Sequence, residues 1–384
     1  MTVVLWCAFV WAIVTPIIRR TVIARDGPLV AAAIACGCYA AVKIVATLYH
    51  NGFGAAPLLL STLVFLSPLL VGSRLRYTSP RVVLDGFVLA CGFAALLALP
   101  LAVYQGALTG LRATAFCGNA GVFATMSVIF GSIGALNAAS PRTARRWLGM
   151  ASYLAMVGCV IASGMRTLWI VLPIATVLVG WAITRALPKR VYVAGFAASI
   201  ALVLSGLLIA SVPVAERVQA FYLDIVLVSD SGSYDSSTGR RLLMWQSGWK
   251  AVLDAPLTGY GLAGRMDALG AHVDADMRHL VDYTHPHNGY LAALLDAGIA
   301  GLLALLAVLA APVAIALRAP RDDAWRIRVA IAGVLSAAYA VSGAPGIIFE
   351  HDLLNSAFVV TLTVLAAAIP VAEKAGEPSR LGET

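Results

Sequence analysis

Long apolar runs separated by short polar gaps dominate the chain, and most are close to the roughly 20 residues that an α-helix needs to cross a bilayer. Uninterrupted stretches occupy 2–18, 28–49, 54–72, 82–104, 113–136, 147–164, 167–184 and 191–212. The pattern then fails over 213–287 and resumes over 288–317, 329–341 (extended on either side) and 353–370. The pattern predicts an all-α polytopic membrane protein of about eleven spans. A bundle of eight spans covers 1–212, a polar loop domain 213–287 and three further spans 288–372, followed by a tail at 373–384. No 20 to 50 residue repeat is visible.

Composition narrows this picture. With 60% apolar and 12% charged residues over 384 positions, a soluble globular domain and a disordered chain are both excluded. The formal charge of +8 is not spread over one face. Lys and Arg gather in alternate gaps: Arg19, Arg20 and Arg25; Arg74, Arg76 and Arg81; Arg142, Arg145 and Arg146; Arg185, Lys189 and Arg190; Arg318, Arg321, Arg326 and Arg328; and Lys374 and Arg380 in the tail. Basic residues accumulate on the cytoplasmic side of a membrane, so the charge orients the bundle and no nucleic-acid partner is expected. This alternation puts the amino end outside, the tail in the cytoplasm and the 213–287 loop on the outer face. The first span lacks a basic leader and is followed by Arg19 and Arg20, so it reads as a retained helix rather than a cleaved signal. All six cysteines fall within spans, where they read as small packing residues. Lys43 and Asp85 read as span-edge residues whose charged ends reach the interface.

The outer loop carries the candidate chemistry. It holds six Arg and Lys residues among nine Asp and Glu residues, with four of the six histidines. Thr238 is placed to cap a helix running to about Asp254 before Pro256, with Leu242, Trp245, Trp249, Val252 and Leu253 at helical spacing and Arg241 one turn from Trp245. Such a helix either lies along the membrane interface with its tryptophans at headgroup depth or packs as a lid on the bundle. Gly259, Gly261 and Gly264 match a GxGxxG string, but no strand precedes it. They read as tight turns that bring backbone near a ligand and place Arg265. Asp274 and Asp276 form a DxD string, which recurs by chance as well as in metal sites. His285 and His287 precede Asn288, which can cap the ninth span. A histidine there suits a general base, with a zinc site or plain interfacial histidines as the other readings. Arg166, in the short turn 163–167, lies at a membrane edge on the same outer side, where an arginine either faces a cavity with a partner or snorkels.

Taken together, these residues resemble a known family. His287-Asn288 followed after nine residues by Gly298-Ile-Ala-Gly301 resembles the signature of the bacterial O-antigen ligases. Arg241, Trp245, Pro256, Gly259 and Gly261 are similar to a run found across the wider O-antigen ligase and polymerase superfamily, and Ser163-Gly-Met-Arg166 to its Ser-Arg-Gly-type turn, although Gly and Met here separate Ser163 from Arg166. The resemblance covers roughly 161–306. It implies a GT-C-like bundle in the bacterial inner membrane with its site on the periplasmic face, and twelve spans where eleven are counted, so that an amino-terminal helix is missing or two spans are merged within 288–317. It further implies metal-independent, inverting transfer of a polysaccharide from undecaprenyl diphosphate to a sugar hydroxyl of lipid A-core, without a cofactor. In that reading Arg166, Arg241, Arg265 and Arg240 neutralise the diphosphate, and His287 takes the proton of the acceptor hydroxyl, with His285 as the other candidate. Asn288, Trp245, Gly259, Gly261, Gly298 and Gly301 support the site. A polymerase or a protein O-oligosaccharyltransferase of the same superfamily are the alternatives, and a transporter is the alternative from another class.

Overall fold

The computed structural model describes residues 26–115, 117–184, 190, 222–224, 226–228 and 233–371. The expected spans at 2–18 and 191–212 lie outside these residues, as does Cys7. Within them the chain is helical, without strands. In order come α1 (Gly27–Asn51), a 3-10 segment (Phe53–Leu66) that continues into α2 (Pro68–Leu75), α3 (Pro80–Val103), α4 (Ala120–Ala135), α5 (Thr143–Ser163) and α6 (Val171–Ile183). After the gap follow α7 (Ser237–Asp254), α8 (Gly261–Gly270), α9 (Gly289–Arg318), α10 (Trp325–Gly343) and α11 (Asp352–Ala367). Eight helices among the described residues are long and apolar enough to cross a membrane, and α11 is a shorter apolar helix.

Local chemistry sets the boundaries. The Asp26 carboxylate accepts from Leu29 N–H at 3.1 Å, and Pro28 occupies the first turn of α1, where a missing N–H costs nothing. Ser79 with Pro80 repeats the arrangement at α3, and Asn119 caps α4. α4 therefore starts later than the apolar run at 113, and Cys117 sits in the loop before it. α7 is capped by the Ser236 hydroxyl, which accepts from Gly239 N–H at 2.9 Å, and not by Thr238 as its sequence suggested. Ser236 wins because its backbone is extended, as a capping residue requires, whereas Thr238 already lies inside the helix.

The central helices pack through small residues. A Cβ on Gly134 would stand 2.7 Å from Gly92 Cα, so α3 and α4 cross at backbone contact, and a Cβ on Gly149 would stand 2.4 Å from Ala138 N. Close approach of this kind replaces the hydrophobic drive that is missing among lipid tails.

Many of the basic gaps are tied to helix ends. Arg76 forks onto Asp26, Nε at 2.7 Å and Nη2 at 2.8 Å, and donates to the carbonyls of Ala366, Ala367 and Ile369 at the carboxyl end of α11. Arg328, buried, donates to Pro320 O, Ala368 O and Asp322. Asp85 pairs with Arg81 at 3.4 Å, both well exposed, as expected of edge residues. Lys43 differs from its expected edge position: its side chain is 8% exposed within α1 and its Nζ lies 3.5 Å from Asp296. A buried carboxylate holds the ammonium inside the bundle, which removes the drive to reach water.

Arg76→Ala removes the cation from the Asp26 carboxylate, which keeps only the Leu29 N–H, and takes a donor from three helix-terminal carbonyls, at a cost on the order of 3 kcal/mol. We expect the purified variant to show a thermal midpoint several degrees lower in detergent, with Arg81→Ala unchanged as the exposed control.

Candidate functional site

The polar segment folds into a cap with its own apolar core. Leu243, Met244, Ala251 and Val252 of α7 and Leu269 of α8 pack with Val273, Leu280 and Val281, and Leu291 and Leu295 of α9 complete the cluster. Trp249 and Leu253, one turn apart on α7, remain exposed. The cap is therefore built on the first part of α9 and inherits its position from that helix.

α9 is broken. Ala297 and Gly298 have non-helical backbone angles, dividing it into a short leg from Gly289 and a long membrane-spanning leg. The stretch 288–317 thus holds one short and one long helix rather than two crossings. Into the break fits the loop 256–261. Ile299 N–H donates to Pro256 O at 2.8 Å and Tyr260 N–H to Leu295 O at 2.7 Å, so backbone groups freed by the kink find partners in the loop. A Cβ on Gly259 would lie 2.6 Å from Leu295 O, and one on Gly298 would lie 2.4 Å from the Leu257 carbonyl carbon. Gly298 also has φ +60° and ψ −152°, a region essentially confined to glycine. Gly261 abuts Asn51 and Thr47 at the end of α1. There Asn51 Nδ2 donates to Tyr260 O, Ala263 N–H donates to Asn51 Oδ1 and Leu262 N–H to the Thr47 hydroxyl. Gly301 lets Ala293 O approach the long leg. The glycines expected to bring backbone near a ligand instead bring it to the kink and to α1.

Arg265 projects from α8 into the bundle and is 3% exposed. Its Nη1 and Nη2 fork onto Glu350 Oε1 and Oε2 at 2.7 Å each, Nη1 also reaches Asp296 Oδ1 at 3.2 Å, and Nη2 donates to Thr284 O at 3.0 Å. With Lys43 on Asp296, two cations and two carboxylates close a neutral cluster. Burial disfavours the Glu350 carboxylate, but the Arg265 and Lys43 charges outweigh that and hold its pKa below the usual value. Arg265 was expected to join the diphosphate-binding set. Its two terminal nitrogens are committed to carboxylates and a carbonyl and its surface is covered, so it is not available as an open anion ligand. Lys43, Asp296 and Glu350 were missed in the sequence; each is a charge within or between apolar runs, the signal that marks an intramembrane site.

The turn 284–287 lies against this cluster. Trp245 Nε1 donates to Pro286 O at 3.0 Å, and the Thr284 hydroxyl is 3.1 Å from His285 Nδ1. His287 takes a left-handed conformation, φ +50°, unusual for a residue with a Cβ. Its ring lies 4.3 Å from that of His285 and 5.1 Å from that of Tyr283, centroid to centroid. Asn288 then caps α9, its Oδ1 accepting from Tyr290 N–H at 3.0 Å and Leu291 N–H at 3.1 Å. Partial burial, then the neighbouring His285 and Arg241 charges, lower the His287 pKa to about 4, so the imidazole is neutral at physiological pH. Burial also lowers His285.

The structure thus joins His287, His285, Asn288, Trp245 and Arg241 around one turn. Arg240 and Arg241 are half-buried on the first turns of α7, and Arg240 Nε is buried without a hydrogen-bond partner among the described residues. Arg166 is exposed on the short 3-10 turn Arg166–Trp169, which packs on α4, α6 and α10. Arg112 donates to Gly164 O at 3.1 Å beside it. Asp274 and Asp276 are exposed, and no group of three or more His, Cys, Asp or Glu side chains among the described residues is arranged to hold a metal ion.

The fold and this site define a multi-pass membrane protein that carries a histidine- and arginine-bearing cap at one end of its bundle. Residues 151–306, 156 of the 384, match the family model Wzy_C, described as O-Antigen ligase. The matched segment runs from α5 through the cap and past the kink of α9, and so contains Arg166, Arg241, Arg265 and His287. The match supports a function of the ligase or polymerase type. No curated protein matches the chain.

Gly298→Ala forces a Cβ into the loop carbonyl in a glycine-only conformation, at a cost on the order of 3 kcal/mol. A sharp loss of folded protein on size exclusion is expected, whereas Gly270→Ala, whose Cβ meets nothing within 4 Å, is expected to behave as the parent.

Proposed function

We propose that the protein is an O-antigen ligase, which passes a polysaccharide from undecaprenyl diphosphate to a sugar hydroxyl of lipid A-core at the periplasmic face of the inner membrane. The observation that carries the reading is His287: a neutral imidazole, half-exposed on a left-handed turn, with Arg241 close enough for its charge to act on the ring. His287 accepts the proton of the acceptor hydroxyl as the new glycosidic bond forms, and the diphosphate leaves with the electron pair of the old one. The configuration at the sugar inverts because attack comes from the face opposite the leaving group. Arg241, Arg240 and Arg166 stabilise the departing diphosphate, for which planar guanidinium forks suit the phosphate oxygens, and so take the part that a divalent cation plays elsewhere.

A base with a pKa near 4 is weak, and the substrate offsets this in two ways. The hydroxyl proton becomes acidic as its oxygen bonds to the anomeric carbon, and the diphosphate's negative charge raises the pKa of an imidazole beside it. The neutral ring is the active form, so activity rises with pH through that pKa. The acid limb of kcat/KM, which reports free enzyme, is expected near pH 4, and the limb of kcat at a higher pH, because the complex includes the diphosphate. Coincident limbs would remove the electrostatic coupling between base and donor.

The deciding assay combines purified protein, lipid-linked polysaccharide and rough lipopolysaccharide in detergent. Transfer to lipid A-core is expected to persist in chelator and to vanish in His287→Ala. Arg241→Lys keeps the charge and loses the fork, with a drop on the order of tenfold. Wild-type transfer by His287→Ala would overturn the base, loss of transfer in chelator would revive Asp274 and Asp276, and lengthened lipid-linked polymer as the product would make the protein a polymerase.

A further inference from the structure

The buried charge cluster reaches the turn that carries the proposed base. Arg265 reaches the Thr284 carbonyl, three residues before His287, while Glu350 grips both of its terminal nitrogens and Asp296 holds the first. Lys43 in turn balances Asp296. Four separate parts of the chain meet here: α1, α8, the last residue before the kink of α9, and the loop before α11.

The loop before α11 is itself fixed. Phe349 is left-handed, φ +57°, and its ring is enclosed by Tyr39, Phe65, Tyr339 and Phe358 at centroid distances of 4.8 to 5.3 Å. The aromatic cage therefore sets the backbone from which Glu350 extends. Left-handed backbone is strained for a non-glycine residue, and two such residues, Phe349 next to Glu350 and His287 three after Thr284, flank the contacts of Arg265. Strain at both ends persists only where the contacts between them over-determine it. The Thr284 carbonyl is the only atom of the histidine turn to which Arg265 donates, so the cluster's hold on that turn passes through this one bond.

We propose that Glu350 is a positioning residue for the transfer reaction, acting through Arg265 to hold the 284–287 turn so that His287 faces the acceptor hydroxyl. Asp296 with Lys43 keeps Arg265 in register without leaving a net charge in the bundle. Glu350 touches neither substrate nor reacting atom, so its loss lowers turnover and leaves the donor's binding to Arg241 and Arg166 intact. This inference rests on the ligase reading above and on His287 as its base.

The test separates turnover from binding. Glu350→Gln and Arg265→Lys are compared with the parent for kcat and for Kd of undecaprenyl diphosphate, with folding followed by size exclusion and thermal midpoint. Arg265→Lys keeps the charge but has a single nitrogen, which cannot hold Glu350, Asp296 and Thr284 O in the same fork geometry. Expected are folded proteins whose Kd changes by less than about twofold, whose kcat falls by about tenfold or more, and of which Glu350→Asp recovers part. The double variant Arg265→Met with Glu350→Leu removes one cation and one carboxylate together, which buried ion pairs often tolerate; it is expected to fold and to remain slow. Wild-type kcat in any folded member of this set overturns the proposal, and so does a fall in donor affinity that accounts for the whole loss. Misfolding of all of them would assign the cluster to stability alone and overturn it too. His287→Ala run in parallel separates the two readings: if it is inactive while Glu350→Gln turns over normally, the positioning role alone fails, and if it is fully active, the base itself fails.

Discussion

The guanidinium of Arg265 is the point through which the remainder of the site is held. In an apolar bundle, a lone cation or carboxylate is expensive, and neutrality with full hydrogen bonding is what makes a buried charge tolerable. Lys43, Arg265, Asp296 and Glu350 are neutral together, and no subset of three is, while Arg265 Nε is left without a hydrogen-bond partner among the described residues. The requirement ties an early membrane helix, the cap, the kinked helix and the loop before the last described helix into one arrangement. These contacts meet at the end of the bundle where the histidine turn emerges.

A second constraint works in backbone rather than charge. The kink at Ala297–Gly298 frees peptide groups within the apolar region, and the loop 256–261 supplies their partners while Gly259 and Gly298 clear the space. The loop leads directly into α8 and so delivers Arg265 to the cluster. Committed and uncommitted cations then divide cleanly. Arg76, Arg265 and Arg328 are spent on carboxylates and carbonyls, whereas Arg166 is exposed and Arg240 and Arg241 stand half-buried on the first turns of α7. In the proposed reaction the second group meets the diphosphate, and the first keeps the geometry.

Much of this was legible in the sequence. Apolar runs located the described membrane helices to within a few residues, apart from the late start of α4. The cap lies in the part of the break at 213–287 that is described from 233 on, and the helix Ser237–Asp254 ended where Pro256 stops it. The match over 151–306 agrees with the resemblance read from His287, Asn288, Gly298 and Gly301. What could not be read were pairings between distant positions. Lys43 and Asp296 are 253 positions apart in the chain, and each alone looks like an edge residue or an accident. Arg265 looked like its free neighbours because a one-dimensional pattern shows a charge without its partner. The glycines announced close approach without saying what approaches. Ser236 and Thr238 are equally good capping side chains, and only backbone geometry separates them.

In the proposed reaction Arg166, Arg240, Arg241 and His287 do the chemistry, while Arg265 stays bound to Glu350. The most direct measurement is an experimental structure of the protein with undecaprenyl diphosphate bound in a lipid nanodisc. The account predicts the diphosphate contacting Arg166 and Arg241, His287 facing the anomeric end of the ligand, and the Arg265 fork on Glu350 intact. A diphosphate coordinated by Arg265 with its carboxylates displaced, or seated away from His287, would contradict it.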